Sequence, residues 1–410
     1  MDAVILAAGE GTRLRPLTST RPKPMLPVGG KPILEWDLEA LSGNGFDRVV
    51  LVVGYKREVI SDYFGKRFGD MRLDYVEQKE QLGTGHAVSA AEKKVGDEFL
   101  VMNGDLIISK DLVANFVKEH RKAESYCSMC LAQVKDASQF GVVELKGSLV
   151  KKIIEKPKEP KSNLVNAGIY LFNKKIFTVL KDLKKSERME YELTDALEKL
   201  IPEGRVHGFK AEGTWIDIGR PWDLLTANET LLKEMKHNVD SGAIVEQYAV
   251  LKGKVQVGKG TLIKSGSYIE GPCVIGEDCT IGPNCFIRPS TSVGDKVHIG
   301  NAVEVKNSII MSGTNIGHLS YVGDSIIGEK CNFGAGTNVA NLRVDDDEVR
   351  ILVKDKLMKS GRRKFGCIMG DDVKTGINVS IMPGRSIYPG ARVEAGSVVR
   401  NTIYNEQNNP

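Results

Sequence analysis

The chain carries twelve aliphatic residues at a fixed interval of six: Val239, Val245, Leu251, Val257, Ile263, Ile269, Ile275, Ile281, Ile287, Val293, Ile299 and Val305. Neither the 3.6-residue helix nor the two-residue alternation of a strand has that period. It suits a solenoid in which short strands form flat faces and the chain turns at a corner between them. The fourth residue after each rung is small or β-branched, as in Ala243, Val255, Thr261, Ser267, Cys273, Cys279, Cys285 and Thr291. One bulky and one small inward side chain per hexad would fill a narrow prism with little void. Gly258, Gly276, Gly282, Gly294 and Gly300 stand directly after rungs, where corners are expected to need unusual backbone angles. The step slips by one residue around 315–324, and the ladder resumes at Met369, Thr375, Ile381, Ile387, Val393 and Val399.

This pattern resembles the hexapeptide-repeat family of left-handed parallel β-helices, whose enzymes are mostly acyltransferases. The left hand is implied by the resemblance alone, because the general rule for parallel crossovers gives the opposite one.

A length of 410 residues leaves room for two or three domains. The 41% hydrophobic and 27% charged content is that of a globular chain. A formal net charge of +4 is too small for a nucleic-acid binder and suits small anionic substrates. No apolar run approaches ~20 residues, so no membrane span is expected. Met1-Asp2 leads directly into a buried-strand pattern without a basic and apolar leader. The seven cysteines are odd in number, and Cys127 and Cys130 sit in a strand-like run that reads as core. A reducing, cytoplasmic setting follows.

The chain opens with Ala3-Val4-Ile5-Leu6, a short apolar run typical of a buried parallel strand. Ala7-Ala8-Gly9-Glu10-Gly11-Thr12-Arg13 comes next, followed by Leu14-Arg15-Pro16-Leu17-Thr18 and Lys23-Pro24-Met25-Leu26-Pro27. Glycines and small residues after a strand let backbone N–H groups turn toward phosphate oxygens. Arg13 and Lys23 would add charge-assisted contacts to a triphosphate. The spacing fits neither the dinucleotide fingerprint nor the P-loop. Asn103-Gly104-Asp105 and Trp215-Ile216-Asp217 each place a carboxylate after an apolar run, where open α/β sheets put their ligands.

Taken whole, residues 6–27 resemble the signature of sugar-1-phosphate nucleotidylyltransferases, and the similarity continues at intervals to about residue 230. It implies that Leu6, Ala8, Gly9, Gly11 and Thr12 bind the nucleotide, with Gln78, Gly83 and Thr84 reading the base. It implies a sugar-phosphate pocket of Gly141, Glu155, Lys156 and Asn166, and Mg²⁺ held by Asp105 and Asp217. Two hard oxygen ligands together with phosphate oxygens suit that ion. The segment 14–18 is closer to glucose-1-phosphate thymidylyltransferases than to the uridylyl branch, so UTP and dTTP both stay open.

In the second half, Arg288 and Lys306 each follow a rung and are one full coil apart, so they should stack as a cationic pair suited to a phosphate. His318 lies at the register break, ahead of Asn332 and Asn341. The stretch from Arg288 to Asn341 resembles the acetyltransferase domain of bacterial bifunctional N-acetylglucosamine-1-phosphate uridylyltransferases. That resemblance makes His318 the general base and has Arg288 and Lys306 bind an aminosugar phosphate. It lines the sugar and acetyl positions with Glu304, Tyr321, Asn332 and Asn341, with Lys364 nearby. An imidazole with an unperturbed pKa near ~6.5 suits deprotonation of an amine that attacks the thioester of acetyl-CoA. The chain departs from the family at Leu342, where an aromatic is usual, and in a longer, basic segment at 342–368. That segment reads as solvated, as a holder of coenzyme A phosphates, or as an arm to a neighbouring subunit.

The expected architecture is an α/β Rossmann-like nucleotidyltransferase domain at 1–222, a linker helix at 223–238 and a left-handed parallel β-helix of hexapeptide repeats at 239–404. The expected partners are UTP or dTTP, sugar 1-phosphates and acetyl-CoA, with Mg²⁺ as cofactor. Neither nucleic acid nor membrane is expected as a partner, and the assembly is a homotrimer or a multiple of one. A nucleotidylyltransferase whose β-helix is only structural or regulatory remains the alternative.

Overall fold

The computed structural model describes residues 1–123, 125–186 and 188–405. The chain divides into two compact units: Met1–Glu10, Pro22–Met25 and Ile33–Asp217 form one, and Gly11–Arg21, Leu26–Pro32 and the chain from Ile218 onward form the other.

In the first unit, four parallel strands run side by side in the order Glu98–Asn103, Asp2–Ala7, Arg48–Val53, Met71–Glu77. Their apolar runs are buried on both faces, with Val4, Ile5, Val50, Leu51, Leu100 and Val101 fully enclosed, as parallel sheets covered by helices require. The helices Ile33–Leu41 and Lys110–Ala123 supply the residues that close one side, Leu34, Leu38, Val113 and Phe116 among them. The sheet continues past Glu98–Asn103 through the antiparallel strand Leu164–Asn173 to Cys127–Gln133 and Val206–Lys210. Chain order reverses between Asp2–Ala7 and Glu98–Asn103, and that switch point opens a crevice at their carboxyl ends. Cys127 and Cys130 are buried free thiols, as the core reading expected. Burial pushes the Cys130 thiol up to about 12.

The second unit contains three eight-stranded parallel sheets visited in strict rotation, so that three short strands make one coil. Rungs align in register coil upon coil, as in Val257↔Ile275 and Ile287↔Val305. From Val257 to Val305 every rung is buried, and so are the small partners Thr261, Ser267, Cys273 and Cys279. The first coil differs: Val239 and Leu251 are half-buried and Val245 is exposed. It has a neighbouring coil on one side only.

The glycines after the rungs serve a purpose other than the one expected. Among them only Gly282 has a positive φ, at 97°. At Gly258 an added Cβ would lie 2.6 Å from the carbonyl carbon of Gly276, and at Gly300 it would lie 2.0 Å from the Gly317 oxygen. These positions are glycine because successive coils touch backbone to backbone there. The left-handed corner residues come three after a rung instead, at Gly260, Gly266, Asp278, Asn284 and Lys296.

The register break also falls earlier than 315. Val293 pairs with Ile310 and Val305 with Val322, so a residue is already missing between Val305 and Ile310. A second is missing between Val322 and Ile327, since Ile310 pairs with Ile327. The segment 342–368 leaves the coil and returns at Cys367–Met369, which pairs with Ile326–Ile327. It is more than a solvated face: Val349, Ile351 and Phe365 are fully buried. It contains the hairpin Arg350–Val353/Lys356–Lys359, and Arg362 pairs with Glu229 on the helix Pro221–Glu234. That helix starts on proline, whose fixed φ suits the first turn, and Asp223 accepts the Arg220 N–H at 2.7 Å. Among the described residues no helix is long and apolar enough to cross a membrane.

Candidate active sites

A cavity of about 290 Å³ at the switch point of the first unit is lined by Leu6, Ala8, Gly9, Gln78, Gln81, Gly83, Thr84, Asn103, Asp105 and Glu190. Leu6 and Asn103 are in register at the strand ends, which brings the first loop beside Asp105. Gln78 is buried, and its side-chain amide donates to the Gly83 carbonyl at 3.1 Å. Gly83 has a φ of +105°, and a Cβ there would lie 2.6 Å from the Tyr191 oxygen, so no side chain fits. The Thr84 hydroxyl accepts the Leu193 N–H at 3.0 Å at the start of the helix Leu193–Leu200. The cavity therefore brings together the nucleotide candidates of this unit, Leu6, Ala8, Gly9, Gln78, Gly83 and Thr84, with Asp105. It adds Gln81, whose amide donates to the Ala8 carbonyl at 2.9 Å, along with Asn103 and Glu190. Gln81 lay inside the polar loop 78–87 but carried no periodicity or charge to single it out.

Lys23, only 7% exposed, donates to Asp105 Oδ2 at 2.5 Å. Asp105 Oδ1 is buried without a hydrogen-bond partner. Asp217 ends a short strand paired antiparallel to Leu106–Ile108, in register with Leu106, so both carboxylates come to one edge. An orphaned carboxylate oxygen beside a second carboxylate is a donor set that fits a hard divalent cation. Behind Asp105 lies Asp37, fully buried with both oxygens unpartnered. Burial first, and the Asp105 charge second, hold its carboxyl well above the usual range. Neither spacing nor composition had marked it.

The four sugar-phosphate candidates also converge. Gly141 is in register with Glu155, and a Cβ on Gly141 would lie 3.0 Å from the Glu155 carboxylate and 3.7 Å from Asn166. Lys156 Nζ is 3.4 Å from Glu155. Asn166 donates to the Tyr170 hydroxyl at 2.7 Å and accepts the Gly168 N–H at 3.0 Å.

Gly11, Thr12 and Arg13 belong to the second unit. Gly11 is left-handed at φ +68°, and its carbonyl accepts from the Leu14 N–H and the Thr18 hydroxyl. Arg13 is exposed. The same segment ends in Arg21, which reaches Glu329 and Asp371 at 2.5 Å each, while Thr20 donates to Asp371 at 2.7 Å.

In the coil, the two missing residues build the second candidate site. Shortening both corners puts Asn307, Asp324 and Asn341 in one column, each one coil above the last. Asp324 is 3% exposed; its Oδ1 accepts from Asn307 at 2.8 Å and its Oδ2 from Asn341 at 2.5 Å and Lys306 at 3.3 Å. Asn341 donates further to the Tyr321 hydroxyl at 3.1 Å, and Tyr321 is in register with Glu304. Arg288 donates to Glu304 at 2.9 Å, and the Arg288 N–H bonds the Val305 carbonyl one coil on, as the expected stacking requires. Burial raises the Tyr321 phenol, with Asp324 and Glu304 adding to the rise. His318 ends the strand Asn315–His318 at the corner leading to Tyr321–Gly323, with its side chain exposed. Asn332 lies on the same face as His318 and accepts from the Asn315 amide at 2.9 Å. Lys364 is exposed, bridged through its backbone to Leu342. The column's hub, Asp324, escaped sequence reading. Its signal, visible in retrospect, is its seventeen-residue offset from Asn307.

The nucleotidyl transferase model matches residues 2–234, and the GMPPB C-terminal domain model matches 269–389. The chain is 47% identical to the bifunctional protein GlmU of Methanocaldococcus jannaschii over 98% of this chain and 96% of that protein. It is 43% identical to the bifunctional sugar-1-phosphate nucleotidylyltransferase/acetyltransferase of Sulfurisphaera tokodaii over 98% of both. Among solved structures, a glucose-1-phosphate thymidylyltransferase from Bacillus anthracis is 31% identical, with a TM-score of 0.53, covering 58% of this chain and 97% of that one. A UDP-glucose pyrophosphorylase complexed with UDP-glucose is 26% identical at a TM-score of 0.52, covering 57% and 98%. The chain belongs to the family of bifunctional sugar-1-phosphate nucleotidylyltransferase/acetyltransferases, with its nucleotidyl transferase domain first.

Proposed function

We propose that this enzyme acetylates glucosamine 1-phosphate, or galactosamine 1-phosphate, with acetyl-CoA and joins the product to UTP or dTTP, releasing pyrophosphate. The observation that carries the reading is the hydrogen-bonded column in the coil. A solenoid that served only as scaffold would have no need of a nearly buried carboxylate ordering a lysine, two asparagines and a tyrosine at shortened corners. A buried polar network is costly wherever a member is left unpaired, as Asn307 Oδ1 is here.

In acetyl transfer, Arg288 and Lys306 hold the sugar phosphate, and Asp324 fixes the lysine that does so. Glu304, Tyr321, Asn332 and Asn341 orient the sugar and the acetyl group, with Lys364 beside them. His318 accepts the proton that the amine loses as its nitrogen bonds the acetyl carbon; the C–S bond breaks and the coenzyme A thiolate takes up a proton. The coil is read as left-handed, and a trimer places its outer faces against one another.

In nucleotidyl transfer, a sugar-phosphate oxygen attacks the α-phosphorus in line and pyrophosphate leaves. The backbone of Leu6, Ala8, Gly9, Gly11 and Thr12 cradles the phosphates, and Arg13 and Lys23 screen the developing charge. Gln78, Gly83 and Thr84 read the base, while Gly141, Glu155, Lys156 and Asn166 seat the sugar phosphate. Asp105 and Asp217 would hold Mg²⁺, which supplies charge neutralisation between phosphate oxygens. The domains are assigned as 1–222 for nucleotidyl transfer, 223–238 as linker and 239–404 for acetyl transfer, in a cytoplasmic enzyme.

The test incubates the protein with acetyl-CoA and each aminosugar 1-phosphate and follows free thiol. Acceptor-dependent thiol release is expected; none would assign the coil a structural role. In parallel, Asp105→Ala should abolish pyrophosphate release and leave acetyl transfer intact, and wild-type nucleotidyl transfer in that variant would refute the metal assignment.

A further inference from the structure

A second cavity, partly open and about 330 Å³ in volume, lies wholly within the second unit. Thr12, Arg15, Leu352, Lys354, Asp355, Ser386, Tyr388, Thr402 and Tyr404 line it. It shares no lining residue with the cavity of the first unit, although Thr12 belongs to the loop assigned above to the nucleotide phosphates.

Three properties define what it can hold. Arg15 and Lys354 against Asp355 leave the lining net positive. Tyr388 and Tyr404 form a paired aromatic wall, their centroids 4.6 Å apart and planes tilted by 35°, a surface on which a flat ring stacks well. Ser386 is 3% exposed, and its hydroxyl oxygen is buried without a partner although it belongs to the lining. An unmatched buried hydroxyl costs free energy that a ligand group would recover. The volume is at the small end of ligand sites, enough for a mononucleotide and too little for coenzyme A.

Lys354 reaches this place through the segment 342–368 that the family pattern left without a role. Lys354 and Asp355 are the two-residue tip of the hairpin Arg350–Val353/Lys356–Lys359, both left-handed at φ 48° and 59°. That is the turn a tight hairpin needs, made here from residues that pay strain to adopt it.

We propose that this cavity is a second binding site for a nucleoside phosphate, with the phosphate between Arg15 and Lys354, the base against Tyr388 and Tyr404, and a polar ligand group on Ser386. Thr12 and Arg15 belong to the segment that carries Arg13, so an occupant would steady that segment.

Calorimetric titration of the full-length protein with inorganic phosphate, ribose 5-phosphate and UMP tests this. UMP should show two classes of site, and affinity for the second should rise in the order phosphate, ribose 5-phosphate, UMP. Lys354→Ala and Tyr404→Ala should each weaken the second class by at least about tenfold, a stacked base being worth that much. In both variants the KM for the nucleoside triphosphate should stay within about twofold of wild type, since neither residue lines the nucleotide cavity. One class of site, or two that both variants leave unchanged, would overturn the proposal. Ribose 5-phosphate binding as tightly as UMP would overturn the nucleoside assignment. A parallel rise in KM would make the cavity part of the nucleotide cleft.

Discussion

Two side chains concentrate the chemistry at the residue scale. His318 is exposed at the corner that leads into the strand Tyr321–Gly323, and if it is the general base proposed above, its loss should lower acetyl transfer by ~10²–10⁴-fold. Nucleotidyl transfer should remain within about twofold, because His318 is not among the residues assigned to that reaction. Coupled assays on His318→Ala read both, and a fully active, equally stable variant would remove His318 from the mechanism. Asp37 yields a prediction about stability. Its carboxyl is held well above the usual range, chiefly by burial. Between the ordinary carboxylate pKa and that raised value, the folded state keeps a proton that the unfolded chain has released. The stability it contributes is complete in acid and is lost as pH rises through its folded pKa. Asp37→Asn cannot ionise, so its Tm should exceed that of wild type at neutral pH, with the gap closing toward about pH 4. A gap that widened in acid would contradict the buried, proton-holding state.

At the scale of elements, the segment 11–21 is held by ions as well as by apolar contacts. Arg21 is 8% exposed and paired with both Glu329 and Asp371. Removing one partner of a buried pair strands a charge, which typically costs about 3–5 kcal/mol. The second carboxylate remains, so Asp371→Ala should cost toward the low end of that range, measured by denaturant unfolding. It should also raise proteolysis within residues 11–21. An unchanged midpoint would show the pair to be incidental. The coil's own integrity rests on backbone contact, with glycine at Gly258, Gly276 and Gly300 where a Cβ would collide with the next coil.

At the scale of the whole molecule, the outer faces of the coil bear on assembly. A three-faced coil with both cationic residues and the base candidate on or beside its outer surface suits acetyl sites completed by neighbours, and cyclic closure leaves no unmatched patch. Light scattering should give three chains, or a multiple of three, in solution. A stable monomer with full acetyl transfer would rule this out.

Periodicity and loop chemistry were legible along the chain because each depends on residues close in sequence. The hexad ladder foretold the coil, and the segment around Ala8-Gly9 and the acidic strand end at Asp105 foretold residues that line one cavity. Even a one-residue slip could be seen in the spacing, although it was placed too late. Hidden from that reading was everything that depends on which coil or strand lies alongside. Gly258 and Gly300 looked like corner residues and proved to be points of backbone contact. Asp324 became a hub only when two shortened corners stacked it between Asn307 and Asn341. Asp37 drew no notice in the sequence, and packing buried it with the Asp105 charge nearby. The basic segment 342–368 carried no period at all, and its course was set by Phe365 burying itself and Arg362 finding Glu229. Local spacing dictates the repeating unit, whereas electrostatic partners and steric limits arise between segments far apart in the chain and exist only once those segments are packed.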